Sequence, residues 1–254
     1  MPGIDIELLA ISAMVFAFAA FVHGSIGFGF PMVATPLLAM FFDIQTAILL
    51  TLLPTLVMNI ISIAGEGQWL SALKSHLPLA GLAMLGSALG SQLLLLSDSE
   101  LFKLFLAIII LFYLSSNIIK LNYHWIRKYP ALAKVTFGVS AGIVGGLTNV
   151  MAPVLVIYTI ESKYSKSETV QASNLTFMLG KLIQVLIFSI HGRFDAGNVL
   201  FSGGMTVFAV AGLLVGIKFR HKIEPVVYRR LLKLLLCTLA TLLLIQWFIF
   251  QFAN

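Results

Sequence analysis

A chain of 254 residues that is 59% hydrophobic and only 10% charged, with a mean hydropathy of +1.02, is not a soluble domain, because ordinary globular composition carries about 25% charged residues. Its net charge of +6 fits the basic cytoplasmic loops of a membrane protein better than a nucleic-acid surface, so no nucleic-acid partner is expected. A single cysteine, Cys237, excludes an internal disulfide and a dithiol redox motif.

The apolar run over residues 4–42 is interrupted by His23-Gly24-Ser25-Ile26-Gly27-Phe28-Gly29-Phe30-Pro31, followed by Thr35-Pro36. Asp5 and Glu7 stand where a signal peptide would be positive, so no cleaved signal is expected, although Ala17-Phe18-Ala19 resembles a cleavage site. Three glycines and two prolines make poor continuous helix. In lipid an interrupted backbone survives only where protein buries it or water lines it. The run therefore reads as a helix over 4–22, a break, and a short apolar piece ending before Asp43. A helix restarting after such a break presents free N–H groups, which suits an anion. The alternative is that Gly24, Gly27 and Gly29 only let helices pack closely.

Spans are then expected over 45–64, 76–96 and 101–120, the second carrying Gly86-x-x-x-Gly90 and the third capped by Ser97-Asp98-Ser99-Glu100. Gly65-Glu66-Gly67-Gln68-Trp69 is a turn, and residues 123–130 form a basic, aromatic linker. The second half repeats this order. Residues 140–149, with Gly142, Gly145, Gly146, Leu147, Thr148 and Asn149, form a second break. Pro153 follows Gly146 by the same interval that separates Pro36 from Gly29. Spans over 170–190, 199–219 and 231–250 complete the half; His191-Gly192-Arg193-Phe194 matches the first turn, and Gly212-x-x-x-Gly216 the first glycine pair.

Basic residues cluster in 120–134 and 218–230, which places both loops in the cytoplasm. An even number of crossings must separate them. The first broken pair then dips from outside and the second from inside. The fold expected is an all-α polytopic membrane protein of two inverted repeats, 1–122 and 131–254, each a broken helix pair followed by three transmembrane helices; whether each pair re-enters or crosses stays open. Inverted repeats place substrate near the midplane, where broken helices meet.

Lys181 lies near the centre of the 170–190 span, where an ionisable group is a functional candidate by default. Anchoring the halves at Gly67 and Gly192 sets Lys181 opposite Leu56, Thr51 opposite Thr176 and Asn59 opposite Gln184. These polar residues complete an anion's hydrogen bonds or hold helices together. His23 fits two roles equally, a ligand whose charge changes near neutral pH and an interfacial histidine. Asn149 is also a helix cap by type. Glu66, Glu161 and Arg193 fall at membrane surfaces. No metal-ligand cluster, nucleophile–base pair or P-loop is present in the sequence, so neither a cofactor nor an enzymatic activity is expected.

Gly24-x-x-Gly27-x-Gly29 with Pro36-Leu37-Leu38, and Gly142-x-x-Gly145-Gly146 with Pro153-Val154-Leu155, together with the duplicated architecture, resemble the TauE/SafE sulfite exporter family. The resemblance implies export of small sulfur-containing anions, sulfite or organosulfonates such as sulfoacetate, across the bacterial inner membrane. The second break departs from the first in having Thr148 and Asn149. The candidate site thus comprises His23, Gly24, Ser25, Gly27, Phe28, Gly29 and Phe30 from the first break, Gly145, Gly146, Leu147, Thr148 and Asn149 from the second, and Thr51, Asn59, Thr176, Lys181 and Gln184 from the spans. A passive anion channel and an intramembrane enzyme are the alternative readings. The partners expected are a small anion and the lipid bilayer, with monomer and homodimer both open.

Overall fold

The structure, a computed structural model, describes residues 6–67, 69–97, 99–116, 124–219 and 225–253. In the first half, α1 (Ile6–Ile26) leads through a break into the short α2 (Phe30–Leu38), followed by α3 (Ile44–Gly65), α4 (Trp69–Leu96) and α5 (Ser99–Ser116). After α6 (His124–Lys128), the second half runs α7 (Pro130–Thr148), α8 (Ala152–Glu161), α9 (Lys166–Ile190), α10 (Ala196–Phe219) and α11 (Pro225–Ala253). No strand occurs among the described residues.

Local signals set the ends of the two central helices. Asp43 caps α3 by accepting the Thr46 N–H at 3.0 Å. Ser165 caps α9 in a reciprocal box: Glu168 N–H donates to the serine hydroxyl at 3.2 Å, and Ser165 N–H to the Glu168 carboxylate at 2.7 Å. Both helices leave through a glycine in the left-handed region, Gly67 at φ 71° and Gly192 at φ 66°, so the two expected turns match in conformation.

Among the described residues, six helices are long and apolar enough to cross a membrane: α1, α3, α7, α9, α10 and residues Leu73–Leu96 of α4. The expected spans over 101–120 and 231–250 correspond to α5 and α11, whose described residues include the apolar stretches Leu101–Phe112 and Leu236–Phe250. α2 and α8, with 9 and 10 residues, are about 14–15 Å long at 1.5 Å per residue, half a hydrocarbon core. The caps expected from Ser97 to Glu100 and the basic loop 218–230 fall partly outside the described residues.

The breaks are narrower than the sequence pattern predicts. α1 continues through Gly24 to Ile26, and α7 runs unbroken from Pro130 through Gly142, Gly145 and Gly146 to Thr148. Tertiary packing overrides the poor helix propensity of these glycines. A methyl group on Gly142 would strike the Ala83 carbonyl of α4, and one on Gly146 the Ser87 carbonyl and Gly90. On α1, Gly24 meets Leu213 and Gly216 of α10 in the same way. The Gly-x-x-x-Gly pairs supply the opposite surfaces: Gly86 and Gly90 abut Val139 and Ile143 of α7, while Gly212 and Gly216 abut Ala17 and Phe21 of α1. Both pairs act within one chain and join the two halves.

The major packing pairs keep their pattern when the halves are exchanged. α1 packs on α10 as α7 packs on α4; α3 packs on α10 as α9 packs on α4. α3 also meets α9, and α5 meets α11.

The glycine contacts make a sharp contrast testable. Gly203 on α10 has nothing within 4 Å of an added methyl. Gly86→Leu should abolish or severely reduce the yield of folded protein, since overpacking costs at least about 1–3 kcal/mol, whereas Gly203→Leu should leave yield and melting temperature near wild type. A folded Gly86→Leu protein with unchanged melting temperature in detergent would show that the α4–α7 contact is not tight.

Candidate functional site

The first break spans Gly27 to Gly29, at φ 107° and 104°, a region that glycine enters without steric cost. The Gly27 N–H still closes onto the His23 carbonyl at 2.6 Å, ending α1. His23 bridges the break. Its Nδ1 accepts the Phe30 N–H at 3.2 Å, so Nε2 carries the proton and donates to Ser62 Oγ on α3 at 2.8 Å. Fully buried, this imidazole ties the end of α1 to the start of α2 and both to α3. The amide of Asn174, from α9, donates to the Gly27 carbonyl at 2.6 Å.

The second break spans Asn149 to Met151. Asn149, at φ 69°, closes α7 through its N–H to the Gly145 carbonyl at 2.9 Å. Its side chain does more than cap. The amide donates to Thr35 Oγ1 on α2 at 2.6 Å and to Thr51 Oγ1 on α3 at 2.7 Å, so one residue of the second half binds two elements of the first. Thr51 passes its own proton to the Ile48 carbonyl at 2.7 Å.

These contacts correct the expected register. Gly27 and Asn149 both end a helix, Pro31 and Pro153 are both second residues of a short one, and Asp43 and Ser165 are both N-caps. All three pairs have the same separation in sequence. At that separation Ser62, bonded to His23, corresponds to Gln184, whose Nε2 donates to the Gly146 carbonyl at 3.2 Å. Lys181 then corresponds to Asn59, not Leu56, and Thr51 to Ser173, not Thr176. Pro153 likewise corresponds to Pro31 rather than Pro36. The anchor at Gly67 and Gly192 misleads because α9 has 25 residues against 22 in α3, and the extra length lies toward the turn.

Lys181 is completely buried. Its ammonium donates to Gln184 Oε1, and Gln184 in turn holds the second break. No acidic residue occurs in 44–65, 69–96 or 130–160, and the acid of α9 is Glu168 in its first turn, more than three turns from Lys181. Gln184 takes one of three ammonium donors, which leaves a buried cation with a neutral protein partner.

The other expected residues divide by role. Gly24 and Gly146 face α10 and α4, and Gly145 lies against the Met151 side chain. Thr176 and Thr148 return their hydroxyls to the carbonyls of Ala172 and Val144, both at 2.7 Å. Ser25 donates to the Phe21 carbonyl at 2.8 Å. Phe28 packs on Phe177 and Phe30 on Phe16, and Leu147 joins the apolar core. The expected free donors at the start of α2 are engaged: Phe30 N–H by His23, Met32 N–H by the Gly29 carbonyl at 3.1 Å, while Pro31 has none. Asn59 is fully buried, and neither of its amide atoms meets a hydrogen-bonding partner. Sequence reasoning missed Thr35, Ser62 and Asn174. Asn174 stands seven residues before Lys181, on the same helical face, and that spacing was the available signal.

Asn149 separates two contributions that can be measured independently. Asn149→Gly keeps the left-handed backbone and removes both amide bonds, which should cost about 1–3 kcal/mol. Asn149→Ala should cost a further 1 kcal/mol or so for φ above zero. Thermal or denaturant melts in detergent should therefore rank wild type above Gly above Ala. Equal stability of the Gly variant and wild type would show that the amide bonds to Thr35 and Thr51 carry no load.

Compared with known proteins, residues 12–243 match the family model described as Sulfite exporter TauE/SafE. Nothing matches among curated proteins or among solved structures. The match spans both breaks, both glycine pairs and the central pair α3–α9. The chain belongs to the sulfite exporter TauE/SafE family, as a multi-pass helical membrane protein.

Proposed function

We propose that this chain exports small sulfur-containing anions, sulfite or a short organosulfonate, by alternating access at a site between α3, α9 and the two breaks. The observation that carries this reading is Lys181, fully buried and without a carboxylate partner among the described residues. An isolated buried ammonium is costly, and a bound anion removes that cost. Sulfite and sulfonates offer several acceptor oxygens, which suit the two ammonium donors that Gln184 leaves. Thr35, Thr51 and Asn149, already joined, set the second break around the anion. The exporter family supports a transporter over an enzyme.

The repeats 1–122 and 131–254, joined by linker 123–130, are read as inverted in the bacterial inner membrane. The exchange of packing partners between halves supports this. So does the direction of the central helices. From Thr51 to Ser62, α3 passes from the second break to the first, while α9 passes from the first to the second between Asn174 and Gln184.

Purified protein in liposomes, offered sulfite, sulfonates and unrelated oxyanions, tests the function. Lys181→Met should weaken anion binding ten- to a hundredfold, since a charge-assisted hydrogen bond contributes about 1.5–3 kcal/mol. A folded variant transporting with unchanged affinity would remove Lys181 from the site. Gradient-limited flux without ion-coupled exchange would favour the channel.

Topology has its own check. In a Cys237→Ser background, cysteines at Ser97 and Gly197 should react with an impermeant reagent added outside, and ones at Lys128 and Lys218 should not. Labelling of positions 197 and 218 from the same side would break the inverted arrangement.

A further inference from the structure

The Asn59 side chain makes no hydrogen bond that holds the fold. It is completely buried on α3, yet among the described residues neither its carbonyl oxygen nor its amide nitrogen has a partner. Burying an amide without hydrogen bonds is expensive. Asn149 and Asn174 also leave one oxygen each without a partner, but both hold a break through the other atom. No other fully buried amide among the described residues leaves both atoms unmatched.

Its position is the second observation. Asn59 occupies in the first half the place that Lys181 occupies in the second, as the shared register of caps, breaks and contacts shows. It shares one side of α3 with Thr51, Thr55 and Ser62, all within about 80° at 100° per residue. α3 packs directly on α9. Take as origin the level of the second break, reached by Thr51 on one helix and Gln184 on the other. Lys181 then lies about 4.5 Å along the pair and Asn59 about 12 Å, at 1.5 Å per residue. The backbone positions of the two residues are thus about 7.5 Å apart along the helix axes, a spacing that suits a ligand with two ends.

We propose that Asn59 is a specificity residue that reads an uncharged hydrogen-bonding group at the far end of an elongated monoanion, whose sulfonate lies at Lys181. This rests on the anion site proposed above. An amide with both atoms unmatched calls for a group that donates and accepts, which a hydroxyl does and a methyl does not. A second carboxylate is disfavoured, because the described interior around α3 and α9 provides one cation and a neutral amide. The ligand class that fits is a short hydroxyalkyl sulfonate. Bare sulfite fills only the Lys181 end, and a dianionic sulfocarboxylate brings a charge with no partner.

Binding of three probes to the purified full-length protein tests this, by calorimetry or by displacement. Isethionate, 2-hydroxyethanesulfonate, should bind about ten- to a hundredfold more tightly than ethanesulfonate, because leaving the amide unpaired in the complex is penalised. Sulfoacetate should bind more weakly than isethionate. Asn59→Leu should lose the preference for isethionate over ethanesulfonate. The ranking in wild-type protein needs no variant, so it stands as a test if Asn59→Leu does not fold. Equal affinities for isethionate and ethanesulfonate, or a preference for sulfoacetate, overturn the role of Asn59 and leave the anion site intact. Unchanged sulfonate binding in Lys181→Met instead overturns the anion site itself. An Asn59→Leu protein that is more stable and still prefers isethionate shows the amide to be a buried defect without a ligand.

Discussion

Everything in this molecule follows from interrupting two helices inside a bilayer. A backbone group with no partner costs several kcal/mol in hydrocarbon, so each break must be closed by side chains from elsewhere. At the first break the solution is His23 to the Phe30 N–H and Asn174 to the Gly27 carbonyl. At the second it is Gln184 to the Gly146 carbonyl and Asn149 to Thr35 and Thr51. Thr51 and Ser62 of α3 and Asn174 and Gln184 of α9 take part in these contacts, so both helices carry polar side chains through the middle of the fold. Polarity that first serves the backbone also brings a lysine to the same level.

The same contacts decide which glycines do what. A glycine that breaks a helix and one that lets two helices touch look identical in a sequence, because both simply lack a Cβ. Gly27 and Gly29 take positive φ, whereas Gly24, Gly142 and Gly146 sit in regular helix against another backbone. The first break was legible from its cluster of glycines, whereas the second lies just past the glycines that suggested it, at Asn149 to Met151, because the facing helix decides which glycines stay helical. The Gly-x-x-x-Gly pairs were legible as packing surfaces; their partners, α7 for α4 and α1 for α10, depend on long-range assembly.

Register shows a similar limit. The glycine turns are where the sequence placed them, and Asp43, which marked the end of the short apolar piece, caps α3. Yet α9 is longer than α3 by nearly one turn, and an alignment anchored at the turns carries that difference into the site. Lys181 stood out because a charge in an apolar run is rare. Asn174, Ser62 and Thr35 did not, because small polar residues in membrane helices usually serve as local glue. Thr176, returning its hydroxyl to its own helix, is an instance of that ordinary role.

The cross-half packing also constrains how such a site can open. α1 is zipped to α10 by Gly24, Gly212 and Gly216, and α7 to α4 by Gly86, Gly90, Gly142 and Gly146. Tight backbone contacts of this kind resist shear, so on the proposed reading each pair would move as a body. Each body then carries one break and one long helix from the other half. On the proposed reading, alternating access is a rocking of α1–α10 against α7–α4 about the central pair α3–α9. A scaffold of two equivalent halves can expose its centre to either side at similar cost. Direction must then come from the contents of the centre, and there the halves differ: one presents an ammonium and the other an amide. On the same proposed reading, a ligand with two different ends satisfies both in one orientation only, so the symmetry of the scaffold would permit exchange between faces while the difference between Lys181 and Asn59 would order the cargo.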